Sequence, residues 1–242
     1  MTANNAILTT WGAAGSGKTT LAINLALALA ESDYMIGIIS SKLYYGELQN
    51  HFKTRVEPEQ GIYKALQNGN TKNMFVQAGN KSSVFFLSPP NDFNAMLMSA
   101  VSLDSAKDMI EDAAMRFDYL IIDGSEELNN PISSIGLVLA SQILMVHYPS
   151  VKDYTWYQGM SNMMDILRLR DKSVHILNGY DKSCDKAAFM LSLGVEFKYD
   201  LDYVENAKIY ENSGSLIYSQ GSAGTKAYRK AINKIASAVI LS

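Results

Sequence analysis

The stretch WGAAGSGKTT, residues 11–20, combines glycines, one lysine and two threonines at a spacing that suits phosphate chemistry. Gly12, Gly17, Lys18 and Thr19 satisfy the pattern G-x-x-x-x-G-K-[ST], with Gly15 in addition. Glycines let successive backbone N–H groups turn onto phosphate oxygens, and the helix that follows adds the positive end of its dipole. In such a loop Lys18 reaches the outer phosphates and the Thr19 hydroxyl ligates magnesium. Asp123, closing the run FDYLIID, is the second candidate, because a carboxylate at a strand's C-terminal end can hold the same magnesium through a water. Its plainer reading is an Asp that caps the turn before Gly124. Glu126 and Glu127 are placed to activate water, although solvated loop carboxylates are the simpler expectation.

Such groups need rigid elements behind them, and the chain supplies a regular alternation. Apolar runs at 6–11, 35–40, 84–88, 119–123, 142–148, 174–178 and 195–199 have strand length, and most lack polar alternation. Strands apolar on both sides belong in a parallel sheet with helices on each face. Helical stretches are expected at 18–31, 103–116, 151–169 and 223–240, with two short helices in the excursion 41–83. The expected fold class is therefore α/β, a three-layer, doubly wound, mostly parallel sheet, and residues 1–242 are read as a single domain.

Composition narrows the functional classes. A chain of 242 residues that is 48% hydrophobic can bury a full core, and its net charge of -3 excludes a surface that is basic throughout. A local basic patch stays open. The single cysteine, Cys184, rules out an intramolecular disulfide and a cysteine-built zinc site, and it reads as a small buried apolar group. No transmembrane segment is expected, and a reducing cytoplasm is the expected setting, with recruitment to a membrane or cell pole left to partners. His51, His147 and His175 lack metal-ligand spacing, and the latter two are expected to be satisfied core or edge histidines.

The pattern GxxGxGKTTLAxNLAxALA at 12–30, YxxxIIDxxxxLN at 119–129 and a strand ending LNxY at 177–180 resemble the ParA/MinD superfamily of deviant-Walker P-loop ATPases. The two prolines after the 84–88 strand and the later ENSGSLIY segment look closest to its CpaE/TadZ branch, which is associated with pilus assembly. The resemblance implies ATP or ADP with magnesium as ligands, Lys18 and Asp123 as catalytic residues, and Thr19 and Asp123 as metal-binding residues. It places the phosphates along Gly12, Ala13, Ala14, Gly15, Ser16, Gly17, Lys18, Thr19 and Thr20, with Thr20 next to the α-phosphate. Asn178 falls where such proteins hydrogen-bond the adenine edge, although a turn-forming Asn before Gly179 is an equal alternative. Tyr199, Asp200 and Leu201 are the candidates for the segment that closes over the base. A homodimer and protein partners of a pilus or secretion machine are implied as well.

Two departures from that family weaken catalysis. The signature lysine that follows the first loop glycine is replaced by Ala13, and no Asp follows the 35–40 strand, where Ser40, Ser41 and Lys42 stand instead. Losing a cation that offsets charge in the transition state costs orders of magnitude in rate. Lys42 is a candidate replacement, against the plainer reading of a solvated lysine. The sequence thus implies a nucleotide switch with weak or slow hydrolysis. A partitioning ATPase that binds non-specific DNA and a small-molecule or protein kinase on the same fold are the alternatives. Lys226, Arg229, Lys230 and Lys234 share a face of the last helix and would meet DNA in the first of these. Trp156, Met160, Met163 and Leu167 form an apolar stripe, widened by Tyr157 and Met164, that is expected to pack in the core, with a face for a homodimer or a partner helix as the alternative.

Overall fold

The apolar runs assemble into one sheet in a computed structural model that describes residues 5–79, 82–91, 101–180 and 183–241. Its strands are β1 (Ala6–Trp11), β2 (Ile36–Ser40), β3 (Val76–Gln77), β4 (Val84–Leu87), β5 (Tyr119–Asp123), β6 (Gln142–His147), β7 (Ser173–Tyr180) and β8 (Tyr199–Asp202). The order across the sheet is β3-β4-β2-β5-β1-β6-β7-β8. All neighbours run parallel except the two-residue edge strand β3, which is antiparallel to β4. The central strands β2 and β5 are buried at every position, as continuous apolar runs in a parallel sheet must be.

Helices cover both faces. On one lie α1 (Lys18–Ala30) and α9 (Ala223–Ile240), whose Leu21, Leu25, Leu29, Tyr228, Ile232 and Val239 join Ile38, Ile121 and Val146 of the sheet in one apolar cluster. On the other, α4 (Leu103–Ala114) and α5 (Pro131–Leu139) pack on Ile39, Leu120 and Ile122, while α6 (Val151–Ile166) packs on Trp11, Ile143 and Met145. The excursion after β2 holds α2 (Glu47–Phe52) and α3 (Ile62–Asn68), and α7 (Lys186–Leu193) and α8 (Ala207–Asn212) lie between β7 and α9. This is the expected three-layer α/β arrangement.

Three local expectations are corrected. The strand expected at 195–199 begins only at Tyr199, because Gly194 ends α7 at φ +68° and the chain rejoins the sheet where Tyr199 faces Ile176. Val195 and Phe197 pack instead with the α6 cluster. The α6 stripe is only partly core: Tyr157 and Met164 are buried, whereas Met163 and Leu167 are exposed. Cys184 is half-buried just before α7 and does not sit in the core. No helix among the described residues is long and apolar enough to cross a membrane.

Candidate functional site

The loop between β1 and α1 reaches the C-terminal edge of the sheet, where β5 and β2 also end. Register fixes the geometry there: Thr10 pairs with Asp123 across β1 and β5, and Ser40 pairs with Asp123 across β2 and β5. The loop, Asp123 and the β2 end therefore share one rim. This is the sheet edge at which ligands bind in open α/β folds.

Each glycine of the loop has its own reason. A side chain at Gly12 would put a Cβ 2.2 Å from the Val146 carbonyl oxygen, so strand β6 leaves room only for hydrogen. Gly17 sits at φ +98° as the N-cap of α1, and no side chain covers the first amides of that helix. Those amides and the dipole end are open to an anion. Lys18 Nζ donates to the Gly12 and Ala13 carbonyls at 3.0 and 2.8 Å and stands 3.6 Å from the Glu126 carboxylate. Burial lowers its pKa, and the charges of Glu126 and Asp123 oppose that shift.

Thr19 Oγ1 donates to Asp123 Oδ2 at 2.8 Å, whereas the other oxygen, Oδ1, is buried without a hydrogen-bond partner, as is Ser16 Oγ. Burial pushes the Asp123 carboxyl up to about 6, against the charge of Lys42 and the Thr19 hydrogen bond, which lower it. A buried carboxylate with an unused lone-pair oxygen beside a threonine hydroxyl is the donor set that a hard divalent cation takes. The residues present fit magnesium at Thr19 and Asp123 and phosphate along the loop.

The cleft between these parts encloses about 670 Å³ and is lined by Ala14, Gly15 and Gly17 to Thr20 of the loop, by Ser41 to Tyr45 and Glu47, by Gly124 to Glu127, and by Asn130 and Glu211. Glu126 is thus a cleft residue tied to Lys18, not simply a solvated one. Its backbone is held by Trp156 Nε1, which donates to the Glu126 carbonyl at 3.1 Å. Lys42 projects into the same cleft and forms an ion pair with Glu47 of α2. Burial lowers the Lys42 pKa, but the Glu47 hydrogen bond and the charges of Asp123 and Glu47 outweigh it and the net direction is upward.

The other expected positions divide. Asn178 lies beside the loop and its Nδ2 donates to the Ser16 carbonyl at 2.7 Å, which ties β7 to the phosphate loop. Tyr199, Asp200 and Leu201 line neither the cleft nor the adjoining groove: Tyr199 and Leu201 are buried in the α1/α9 cluster, and Asp200 is paired with Lys186 at 2.5 Å. They are strand residues of β8, and the groove beside Thr20 is formed instead by Ala207, Glu211, Ser215 and Leu216. Sequence reading missed Glu47, Asn130 and Glu211. Asn130 carried a local signal, an Asn before Pro131 that caps α5 by accepting from Ser133 N, and its Nδ2 donates to the Ser41 carbonyl at 2.8 Å. Glu211 opens the ENSGSLIY segment, but nothing in that pattern tied it to the loop, to which only the fold brings it.

A second polar cluster lies under α6. His147 Nδ1 is 2.7 Å from Asp153 Oδ2, and His147 Nε2 is 2.9 Å from His175 Nδ1. Burial and the neighbouring His147 push His175 down to about 4, so it is neutral at physiological pH. Both histidines are hydrogen-bonded, His147 buried and His175 half-buried on the strand beside it, and no group of three metal-ligating side chains occurs among the described residues. On α9, Arg229 is committed within the chain, donating to Glu31 at 2.8 Å with its guanidinium 4.7 Å from the centre of the Tyr218 ring.

No protein-family model and no curated protein matches the sequence. Solved structures do match the fold along the whole chain. MinD from Pyrococcus horikoshii, solved with Mg-ADP, superposes with TM-score 0.76 at 16% identity over 97% of this chain and 96% of that one. A ParA family ATPase from Chlorobium tepidum gives 0.77 at 16% identity over 96% and 99%. An ATP complex of a Cyanothece McdA variant gives 0.71 at 19% identity over 97% of both chains. With its loop, sheet order and cleft in place, the chain has the α/β P-loop fold of the MinD and ParA ATPases.

Proposed function

We propose that the chain is a MinD/ParA-like nucleotide switch, one P-loop domain over residues 1–242, that binds ATP and ADP with magnesium and hydrolyses ATP slowly. The observation that carries this reading is a division within one cleft. Thr19 and Asp123 are hydrogen-bonded beside a glycine loop that holds Lys18, yet position 13 is a buried methyl and the strand end facing Asp123 carries Ser40 and Ser41. Binding needs the first set, and rapid phosphoryl transfer needs a cation and a water-orienting carboxylate that the second positions lack.

In this reading the amides of residues 12–20 hold the phosphates, and Thr19 and Asp123 hold magnesium, which when bound neutralises phosphate charge. Asn178 fixes the loop from β7, and the groove of Ala207, Glu211 and Leu216 beside Thr20 takes the base side of the nucleotide in place of Tyr199, Asp200 and Leu201. A switch acts through differential contacts in its two states and requires no fast chemistry. The finer role we favour is a localisation or assembly factor of a pilus or secretion system, of the CpaE/TadZ kind, acting as a homodimer on protein partners. The order of sequence elements and the weakened catalytic set support it. Non-specific DNA binding has less support, since Arg229 is engaged with Glu31 and Tyr218.

Calorimetric titration with Mg-ATP and Mg-ADP tests the binding, and phosphate release tests the chemistry. The wild type binds both nucleotides, Lys18→Ala weakens both by about tenfold or more, and wild-type turnover is slow. Ala13→Lys raises turnover if the missing cation is limiting. Absence of nucleotide binding would sink the reading as a whole, and rapid wild-type turnover would sink its slow-hydrolysis part.

A further inference from the structure

The nucleotide reading above accounts for Lys18 but not for the second lysine in the cleft. Lys42 lies two residues beyond Ser40, whose register partner is Asp123, and so it stands across Asp123 from the phosphate loop. It lines the same cleft as Gly15, Lys18 and Thr19. Its ammonium is held by Glu47, the first residue of α2, with both side chains about three-quarters buried, and it lies 5.6 Å from the centre of the Tyr45 ring.

We propose that Lys42 reads the terminal phosphate of a nucleoside triphosphate, with Glu47 as the counter-ion it leaves, so that triphosphate and diphosphate hold Lys42 and the adjoining Tyr44–Tyr45 turn differently. This rests on the nucleotide reading of the cleft. A diphosphate is satisfied by the loop amides and Lys18, which surround its phosphates. A third phosphate would have to lie beyond the loop, in the part of the cleft next to Asp123 and the β2 end, which Lys42 lines.

Charge in the cleft demands a rearrangement. Lys18 and Lys42 face Asp123, Glu47 and Glu126, an acidic balance into which a polyanion enters only if a carboxylate gives up its cation or magnesium joins it. Magnesium answers for Asp123. For the terminal phosphate, Lys42 is the mobile cation, a point charge on a long stem that can exchange one anion for another.

The surroundings confine the response. Gln49, buried in α2, donates through Nε2 to the Pro89 carbonyl and accepts through Oε1 from Val56 N, both at 3.1 Å. Gly46 is pressed so closely on the Pro89 carbonyl that a Cβ would lie 1.9 Å from its oxygen. The helix is pinned and Leu43 is buried in the core, so Tyr44 and Tyr45 are the part of the turn left to move. Tyr44 and Tyr45 are 67% and 56% exposed, so a change in that turn is displayed on the surface.

The test is paired titration of Mg-ATP and Mg-ADP into wild type, Lys42→Met, Lys42→Arg and Glu47→Gln, with Tyr44→Trp as a fluorescent reporter in an otherwise wild-type chain. Lys42→Met should weaken Mg-ATP by about tenfold or more while Mg-ADP changes by less than about threefold. Lys42→Arg should keep the difference between the nucleotides, Glu47→Gln should tighten Mg-ATP selectively, and the fluorescence of the Tyr44→Trp reporter should differ between the two nucleotides. Retained Mg-ADP binding reports that Lys42→Met is folded. Equal effects on both nucleotides in Lys42→Met and Glu47→Gln, or none, would overturn the role of Lys42 while leaving the nucleotide reading intact. A wild type that binds neither nucleotide overturns the reading beneath it.

Discussion

At the scale of single residues the loop is a set of spatial constraints that a motif does not state. Gly15 and Gly17 both have positive φ, +82° and +98°, but their surroundings differ. A Cβ at Gly15 would meet nothing within 4 Å, whereas one at Gly17 would lie 2.1 Å from Asn178 Nδ2. Gly15→Ala therefore carries conformational strain alone, about 1 kcal/mol, and Gly17→Ala adds displacement of the side chain that holds the Ser16 carbonyl. Denaturant unfolding should show Gly17→Ala as the more destabilised of the two by about 1–2 kcal/mol, and Mg-ADP titration should show the greater loss of affinity in the same variant. Equal losses in both variants would mean that Asn178 does not support the loop.

At the scale of elements, what was legible depended on how locally each element is determined. β1, β2 and β5 were legible because they are short, largely apolar runs without polar alternation, and α1 because its helix follows the loop without interruption. α5 was not, because PISSIGLVL is short and carries two serines, and it is fixed by tertiary contacts. Thr9 Oγ1 donates to the Gly136 carbonyl at 2.8 Å, and a Cβ at Gly136 would lie 2.8 Å from Ile122 Cγ2. The candidate site divides in the same way. Lys18, Thr19 and Asp123 announce themselves by local pattern, whereas Glu47 and Glu211 reach the cleft through the fold, and alternating residues at 195–199 imitate a strand that starts at Tyr199. Trp156 shows an element supporting a site from behind, since its ring packs edge-on at 4.9 Å against Trp11 while its N–H holds Glu126. Trp156→Phe keeps the ring contact and removes the hydrogen bond. Hydrogen exchange should quicken at Glu126–Leu128 and stay unchanged in β5, with a stability loss of about 1 kcal/mol. Unchanged exchange in that loop would show that Trp156 does not restrain it.

At the scale of the molecule two titrating groups on different elements, Asp123 fully buried and His175 half-buried, act on stability in opposite senses. Asp123 has its folded pKa raised to about 6 from an unfolded value near 3.8, so the folded state binds more protons between those values and stability falls as pH rises through that window. His175 has its folded pKa lowered to about 4 from 6.5, so the unfolded state binds more protons and stability rises with pH between about 4 and 6.5. The shifts are similar in size and their windows overlap from about pH 4 to about pH 6, so in the wild type their slopes largely cancel. Removing either group exposes the other. Asp123→Asn should be more stable than wild type at pH 7, by on the order of 2–3 kcal/mol before the Thr19 hydrogen bond is counted, and its advantage should vanish near pH 4. His175→Gln should lose the acid sensitivity that His175 imposes and become relatively more stable as pH falls from 6.5 to about 4. Urea unfolding at about pH 4, 5, 6 and 7 reads both slopes, and parallel profiles for the two variants would overturn the opposition. Asp123→Asn should also bind magnesium nucleotide less tightly at neutral pH while being the more stable protein. That pairing is expected of a buried carboxylate whose ionised form is kept for a cation at the expense of the fold.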